Sequence, residues 1–133
     1  MKVLTKSKYI VGLECLKYLW TVFNQPEQIR KATLAEEFKF KQGEEVGELA
    51  KKLFPKGINL PTKYKENIKV TKESLAKKKP LFEAGFEAKN CFSRADILVP
   101  AGNEWDIIEV KSGTKVKDVN VHDVSFQKYV YEA

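Results

Sequence analysis

Three charged residues in the last third of the chain have the types and spacing of a hydrolytic site: Asp96, Glu109 and Lys111. Asp96 lies in the segment RADIL, and the other two lie in IIEVKSG, separated only by Val110. Successive side chains of a strand alternate between its faces, which predicts Glu109 and Lys111 on one face and Val110 on the other. Carboxylate oxygens suit a divalent cation, and a lysine can orient the attacking water or neutralise an anionic transition state. The trio therefore indicates metal-dependent hydrolysis of a phosphodiester.

The elements that must position this trio are three strands after Pro80. Apolar residues alternate with others from 82 to 86, an extended run follows from 91 to 99, and residues 105–110 are rich in strand formers. A turn at residues 100–103, Pro-Ala-Gly-Asn, joins the last two runs. We expect a three-stranded meander in which neighbouring strands bring the trio together, followed by a helix from Asp118 to Glu132.

The first half of the chain is predicted to be helical. Apolar residues recur at helical spacing from Thr5 to Phe23, as one long helix or two short ones, until Pro26 ends the pattern. A second helix is predicted over about 35–54, and a third, short one near 71–75. Gly43 and Gly47 lie inside the second helix, which indicates that something approaches that face closely. The predicted class is therefore α/β (α+β).

Composition favours one domain over residues 1–133. The chain has 133 residues, of which 43% are hydrophobic, enough for one domain with a modest core. Its 32% of charged residues argues against a membrane protein. The N-terminal apolar stretch is interrupted by Glu14 and Lys17 and resembles no signal peptide, which predicts a cytoplasmic location. Cys15 and Cys91 are too few for a disulfide framework, and both are expected to be reduced.

The positive charge of the chain is concentrated in its middle. The sequence has 24 Lys and Arg against 18 Asp and Glu, a net charge of +6. Ten lysines fall between residues 51 and 79, where only Glu66 and Glu73 oppose them, and the run ends in Lys77, Lys78 and Lys79. Such a surface suits a polyanion such as nucleic acid, because each phosphate contact releases counterions. The alternative is a set of exposed lysines that only keeps the protein in solution.

Taken together, these motifs resemble the PD-(D/E)XK nuclease superfamily. Asp96, the Glu-Val-Lys segment 109–111 and the segment QKYVY at 127–131 are similar to the motifs of its RecB-like branch, which has a QxxxY helix. The opening LTKSKYIVGLECLKYLW is similar to CRISPR-associated RecB-like exonucleases and to an uncharacterised bacterial nuclease-like family. The resemblance covers nearly the whole chain and implies a restriction-endonuclease-like core.

The resemblance also implies a role for each motif residue. Asp96 and Glu109, with the backbone carbonyl of Val110, would bind Mg²⁺ or Mn²⁺. Lys111 would position or activate the attacking water. Gln127 and Tyr131 share one helix face and would support the site or hold DNA, the alternative being an ordinary polar face.

Two departures from the family pattern concern metal ligands. RecB-like nucleases commonly carry a metal-binding His on the second helix, but no His occurs near Gly43, so a helical ligand would have to be Glu44 or Glu48. The alternative for these two glutamates is a solvated helix face. Some relatives bind an iron–sulfur cluster through one early and three late cysteines. Cys15 fits the early position and Cys91 does not fit a late one, so we expect no such cluster in this chain.

A third departure concerns the last strand of the superfamily core, αβββαβ, which would follow the final helix. We therefore expect the chain to be the N-terminal part of a longer protein, with weak or no cleavage by these residues alone. An exposed sheet edge would then pair with the missing C-terminal part or with a second copy.

Three functions remain open from the sequence. The first is a metal-dependent deoxyribonuclease domain in repair, recombination or defence. The second is a catalytically weak or inactive nucleic-acid-binding module of the same fold, and the third is a structural domain in which the trio arose by chance.

Overall fold

The sheet of this protein is mixed, with its longest strand in the middle. The computed structural model describes residues 2–133. Its strands are β1 (Leu4–Thr5), β2 (Ile58–Asn59), β3 (Leu81–Ala88), β4 (Cys91–Ala101) and β5 (Glu104–Ile108). β4 pairs antiparallel with β3 and with β5, and parallel with β1, while β2 pairs parallel with β3.

The predicted antiparallel meander is present as β3, β4 and β5, but the sheet is larger than predicted. β1 and β2 were missed because each has only two residues, too few to show an alternating pattern. The described residues therefore form a five-stranded mixed sheet in an α+β fold.

Five α-helices and one 3-10 turn complete the described part of the chain. They are α1 (Lys6–Glu14), α2 (Leu16–Asn24), the 3-10 turn (Pro26–Gln28), α3 (Leu34–Lys51), α4 (Tyr64–Leu75) and α5 (Asp118–Glu132). The bounds of α5 match the prediction, and α3 ends three residues earlier than predicted. None of the described helices combines the length and apolar character needed to cross a membrane.

The N-terminal pattern forms two helices, because the backbone at Cys15 is extended. The Cys15 Sγ accepts a hydrogen bond from the Tyr18 backbone N–H at 3.4 Å and so caps the start of α2. Of the two predicted possibilities, one long helix or two short ones, the structure has the two short helices.

Helix α4 begins seven residues before the predicted start. Its buried positions are polar, at Asn67, Thr71 and Ser74, so the apolar periodicity that reveals a helix is weak over its first two turns. Thr71 Oγ1 accepts a hydrogen bond from the Gly85 N–H at 3.1 Å, which joins α4 to β3. A side chain at residue 85 would collide with Asn67, because an added Cβ would lie 1.9 Å from Asn67 Oδ1.

The core lies between the meander and the helices that cover it. α4 and α5 both pack against β3, and α5 also contacts β4 and β5. The buried apolar cluster comprises Leu60, Leu81, Ala84, Ala95 and Leu98. In contrast, every residue of α3 stays at least partly exposed. The meander, with α4 and α5 packed on it, is therefore the core on which a site can be built.

Candidate active site

Three carboxylates occupy one register row across the meander. The pairs Phe82↔Ile97 and Ala84↔Ala95 flank the position where Glu83 of β3 faces Asp96 of β4. Between β4 and β5, the pairing ends at Ile97↔Ile108. Continuing the same register by one residue places Glu109 beside Asp96, on the side of β4 opposite to Glu83. Neighbouring strands lie only about 5 Å apart. The sequence thus assembles a row of like charges at Glu83, Asp96 and Glu109.

The segment that carries Glu109 and Lys111 is not a strand, which corrects the prediction. β5 ends at Ile108, and residues 109–111 continue from it as irregular backbone, with Val110 only partly buried. The reason is a change of hydrogen-bond partner: the Val110 N–H donates to Asp96 Oδ2 at 2.8 Å instead of to a strand neighbour. Val110 therefore contacts Asp96 through its N–H group.

Asp96 is largely buried beside a second carboxylate. Burial, followed by the negative charge of Glu109, raises its pKa from 3.8 to about 6. The ammonium of Lys6 and the hydrogen bond from Val110 act in the opposite direction but do not cancel the shift. The surroundings of Asp96 therefore accommodate its negative charge poorly, and a cation beside it would stabilise the charged form.

Glu109 accepts hydrogen bonds from three other residues of the site. Its side chain is only 5% exposed, and Lys6 Nζ lies 2.9 Å from Oε1 and 3.0 Å from Oε2. Lys111 Nζ donates to Oε1 at 2.8 Å, and Gln127 Nε2 donates to Oε2 at 2.7 Å. Lys111 therefore contacts Glu109, as predicted from their spacing, although the two are not on a strand.

Asp123 on α5 belongs to the same cluster. Its Oδ2 accepts from Lys111 Nζ at 3.0 Å, and its Oδ1 lies 3.5 Å from Lys6 Nζ and 3.1 Å from Gln127 Nε2. Burial opposes the charged form of Asp123, but the charges of Lys6 and Lys111 outweigh burial and lower its pKa. The hydrogen bonds from Lys111 to Glu109 and Asp123 likewise outweigh its own desolvation and raise the pKa of Lys111. Two ammonium groups thus lie between two carboxylates.

A cleft of about 730 Å³ opens over this cluster. One wall is the exposed helix α3, and the other holds the carboxylates. Glu44 and Glu48 do line the cleft, on the wall opposite Asp96 and Glu109, and Glu48 pairs with Lys51 at 2.6 Å. The α3 wall also includes Lys39, Phe40, Gly43 and Gly47.

The two residues of the QxxxY segment have different surroundings. Gln127 is fully buried and contacts Glu109, so in this conformation it supports the site and has no surface to offer DNA. Tyr131 donates from its hydroxyl group to the Ala84 carbonyl at 3.0 Å and packs on Phe86, with ring centroids 4.3 Å apart. Burial raises the pKa of Tyr131. Tyr131 therefore anchors α5 to β3.

The lysine run that ends at residue 79 lies mostly outside the cleft. Of its ten members, only Lys51 lines the cleft. Lys77, Lys78 and Lys79 form the connection from α4 to β3, and Lys78 Nζ lies 5.5 Å from the centroid of the Trp105 ring. A nucleic acid that contacts these three lysines would have to extend beyond the cleft.

The cleft offers carboxylate oxygens of the kind that divalent cations prefer. Asp96 and Glu109 both line the cleft, and each contributes a hard carboxylate donor. Within residues 2–133, no three Asp, Glu, His or Cys side chains converge in the arrangement of a metal site. Carboxylate donors suit Mg²⁺ or Mn²⁺, but Glu109 could hold such an ion only after exchanging one of its present hydrogen-bond partners for it.

Sequence reasoning missed three members of the site: Lys6, Glu83 and Asp123. Asp123 could have been found from the sequence, because it precedes Gln127 by four residues and so shares its helix face. The sequence indicated Glu83 more weakly, through its position in the strand next to that of Asp96. Nothing in the sequence indicated that Lys6 belongs to the site, since 103 residues separate it from Glu109.

Comparison of the chain with protein-family models, with curated proteins and with solved structures found no match.

Proposed function

We propose that this protein is a metal-dependent nuclease domain that hydrolyses phosphodiester bonds of DNA, on a restriction-endonuclease-like core, in repair, recombination or defence. The observation that carries the proposal is that Asp96, Glu109 and Lys111 line one cleft. Lys111 Nζ donates to Glu109, and the Val110 N–H donates to Asp96. A structural ion pair alone does not account for Asp96, whose pKa is raised by burial and by Glu109.

Each residue has a defined task in this proposal. A divalent ion held by Asp96 and Glu109 would supply Lewis-acid polarisation of the scissile phosphoryl group. Lys111 is the most exposed cation of the cluster, with 43% of its side chain accessible, so it can reach a phosphate in the cleft. Its ammonium would orient the attacking water or neutralise the charge that develops on the phosphoryl oxygens. Gln127 fixes the orientation of Glu109.

Metal binding is the first test. Calorimetry with Mn²⁺ should detect weak binding by the wild-type protein, since two carboxylates leave several waters on the ion. The Asp96→Ala/Glu109→Ala double variant should not bind. Equal binding by the two proteins would remove the site from consideration.

Cleavage is the second test. With protein in excess over labelled single- or double-stranded DNA and Mn²⁺ present, a single-turnover assay detects slow hydrolysis. Lys111→Ala should lower the rate on the order of 10²-fold while leaving Mn²⁺ binding in place. Lys115→Ala is the matched control, because Lys115 is an exposed lysine in the same loop. Equal cleavage by wild type and Lys111→Ala would refute the proposed role of Lys111.

A catalytically weak or inactive nucleic-acid-binding module is the second candidate. It is favoured by the pairing of Glu109 and Asp123 with Lys6 and Lys111, which leaves the cluster stable without an ion. Mn²⁺ binding and salt-dependent DNA binding without cleavage by the wild-type protein would select this candidate.

A further inference from the structure

We infer that Lys6 is an internal counter-ion of the carboxylate cluster, and that its ammonium group competes with a divalent cation for Glu109. The inference rests on the proposed function only in taking a divalent cation as the competitor.

The geometry of Lys6 is that of a cation bound by Glu109. Its Nζ contacts both carboxylate oxygens, at 2.9 and 3.0 Å, and lies 3.5 Å from Asp123 Oδ1. With Lys111 on Oε1 and Gln127 on Oε2 as well, each oxygen of Glu109 already accepts two hydrogen bonds. An ion can therefore coordinate Glu109 only after one of these partners leaves.

Lys6 is the partner most suited to leave. Gln127 is fully buried on α5, and Lys111 is held by Glu109 and Asp123 at 2.8 and 3.0 Å. Lys6 is held closely by Glu109 alone, because its second carboxylate, Asp123, is 3.5 Å away. Lys6 begins α1, where the helix dipole disfavours a positive side chain, so its place beside Glu109 is set by the carboxylates and not by the helix. Its ammonium reaches the same cleft that Asp96 lines, and withdrawal into that cleft would keep it solvated.

Two consequences follow for metal affinity. In the absence of metal, Lys6 balances the negative charge of Glu109 and Asp123. When an ion binds, the displaced ammonium remains nearby as a like charge, which weakens binding further. Lys6 therefore lowers the affinity of the site for divalent cations, while Lys111 serves the bound phosphate.

Mn²⁺ calorimetry on matched lysine variants tests the inference. Lys6→Met should tighten Mn²⁺ binding about tenfold or more, because an adjacent unit charge is removed. Lys6→Arg, which keeps the charge and can hold both oxygens, should stay near wild type. Lys17→Met, with the same charge change at an exposed position of α2, should also match wild type. Equal affinity of Lys6→Met and wild type would overturn the competition.

A measurement on the wild-type protein covers the case in which Lys6→Met does not fold. The NMR signals of the Lys6 side chain should move on titration with Mg²⁺, whereas those of Lys128, paired with Glu132 on the surface of α5, should not. An unmoved Lys6 signal at saturating Mg²⁺ would likewise overturn the inference.

The outcome for Lys6 is separable from that of the proposed function. Tighter Mn²⁺ binding by Lys6→Met without cleavage by any form would support the competition and favour the inactive binding module over the nuclease. Lys111-dependent cleavage with unchanged Mn²⁺ affinity in Lys6→Met would support the nuclease and overturn the competition. No Mn²⁺ binding by wild type or Lys6→Met would overturn both.

Discussion

Asp96→Asn should isolate the free energy that the fold loses by burying this carboxylate beside Glu109. The substitution removes the charge but keeps an acceptor for the Val110 N–H. The pKa of Asp96 is raised from 3.8 to about 6 in the folded protein, by burial first and by Glu109 second. Folding therefore favours the protonated acid, and the associated stability is fully present below the unfolded pKa and is lost as the pH rises through about 6. At about 1.4 kcal/mol for each pH unit, the loss amounts to ~3 kcal/mol.

The assay is urea unfolding at closely spaced pH values with EDTA present, followed by the fluorescence of Trp20 and Trp105. The unfolding free energy of Asp96→Asn minus that of wild type should grow by ~3 kcal/mol between about pH 4 and pH 7, and then stay level. Asp106→Asn, an exposed aspartate of β5, should give a difference that varies little with pH. A constant difference for Asp96→Asn across this range would refute the argument that burial and Glu109 disfavour its charge.

The α3 glycines, the lysine run and Tyr131 each lead to a further measurable outcome. Gly43→Ala and Gly47→Ala should each raise the unfolding free energy by about 1 kcal/mol, because an added Cβ meets no described atom within 4 Å; lower stability in urea unfolding would mean that the face is already occupied. Replacing residues 77–79 with Gln should flatten the salt dependence of DNA binding by roughly one power of salt concentration for each phosphate that these lysines neutralise. An unchanged slope would assign these lysines to solubility alone. Tyr131→Phe should lower the unfolding free energy by about 1 kcal/mol, since it leaves the Ala84 carbonyl without its donor, and a thermal midpoint equal to that of wild type would contradict that contribution.

Local patterns in the sequence were sufficient to predict the meander and α5. Alternating residues and the turn at 100–103 define β3, β4 and β5, and their pairing brings Glu109 beside Asp96. The contact between Lys111 and Glu109 was predicted from strand alternation, but it forms on irregular backbone after the end of β5. What local pattern could not predict was that Asp96 takes the Val110 N–H and so ends β5 at Ile108.

The rest of the site depends on contacts between distant parts of the chain. Lys6 reaches Glu109 because β1 pairs with the start of β4, and two residues of strand leave no detectable pattern. The start of α4 was missed for a related reason: Asn67 and Thr71 are polar yet buried, since they bond the backbone of β3 and of the loop before α4. In both cases, the determining interactions involve polar groups, and hydrophobic periodicity does not report on them.

The backbone at Glu83 has a consequence for the entropy of ligand binding. Its φ of 62° lies in the left-handed region, which residues other than glycine rarely adopt within a strand. Asn67 Nδ2 holds this peptide, donating to the Glu83 carbonyl and to the Pro61 carbonyl, both at 2.8 Å. The backbone of Glu83 is thus fixed by α4 before any ligand arrives. A carboxylate on a preset backbone loses less conformational freedom when a ligand binds, so part of the ordering needed at the cleft is completed during folding.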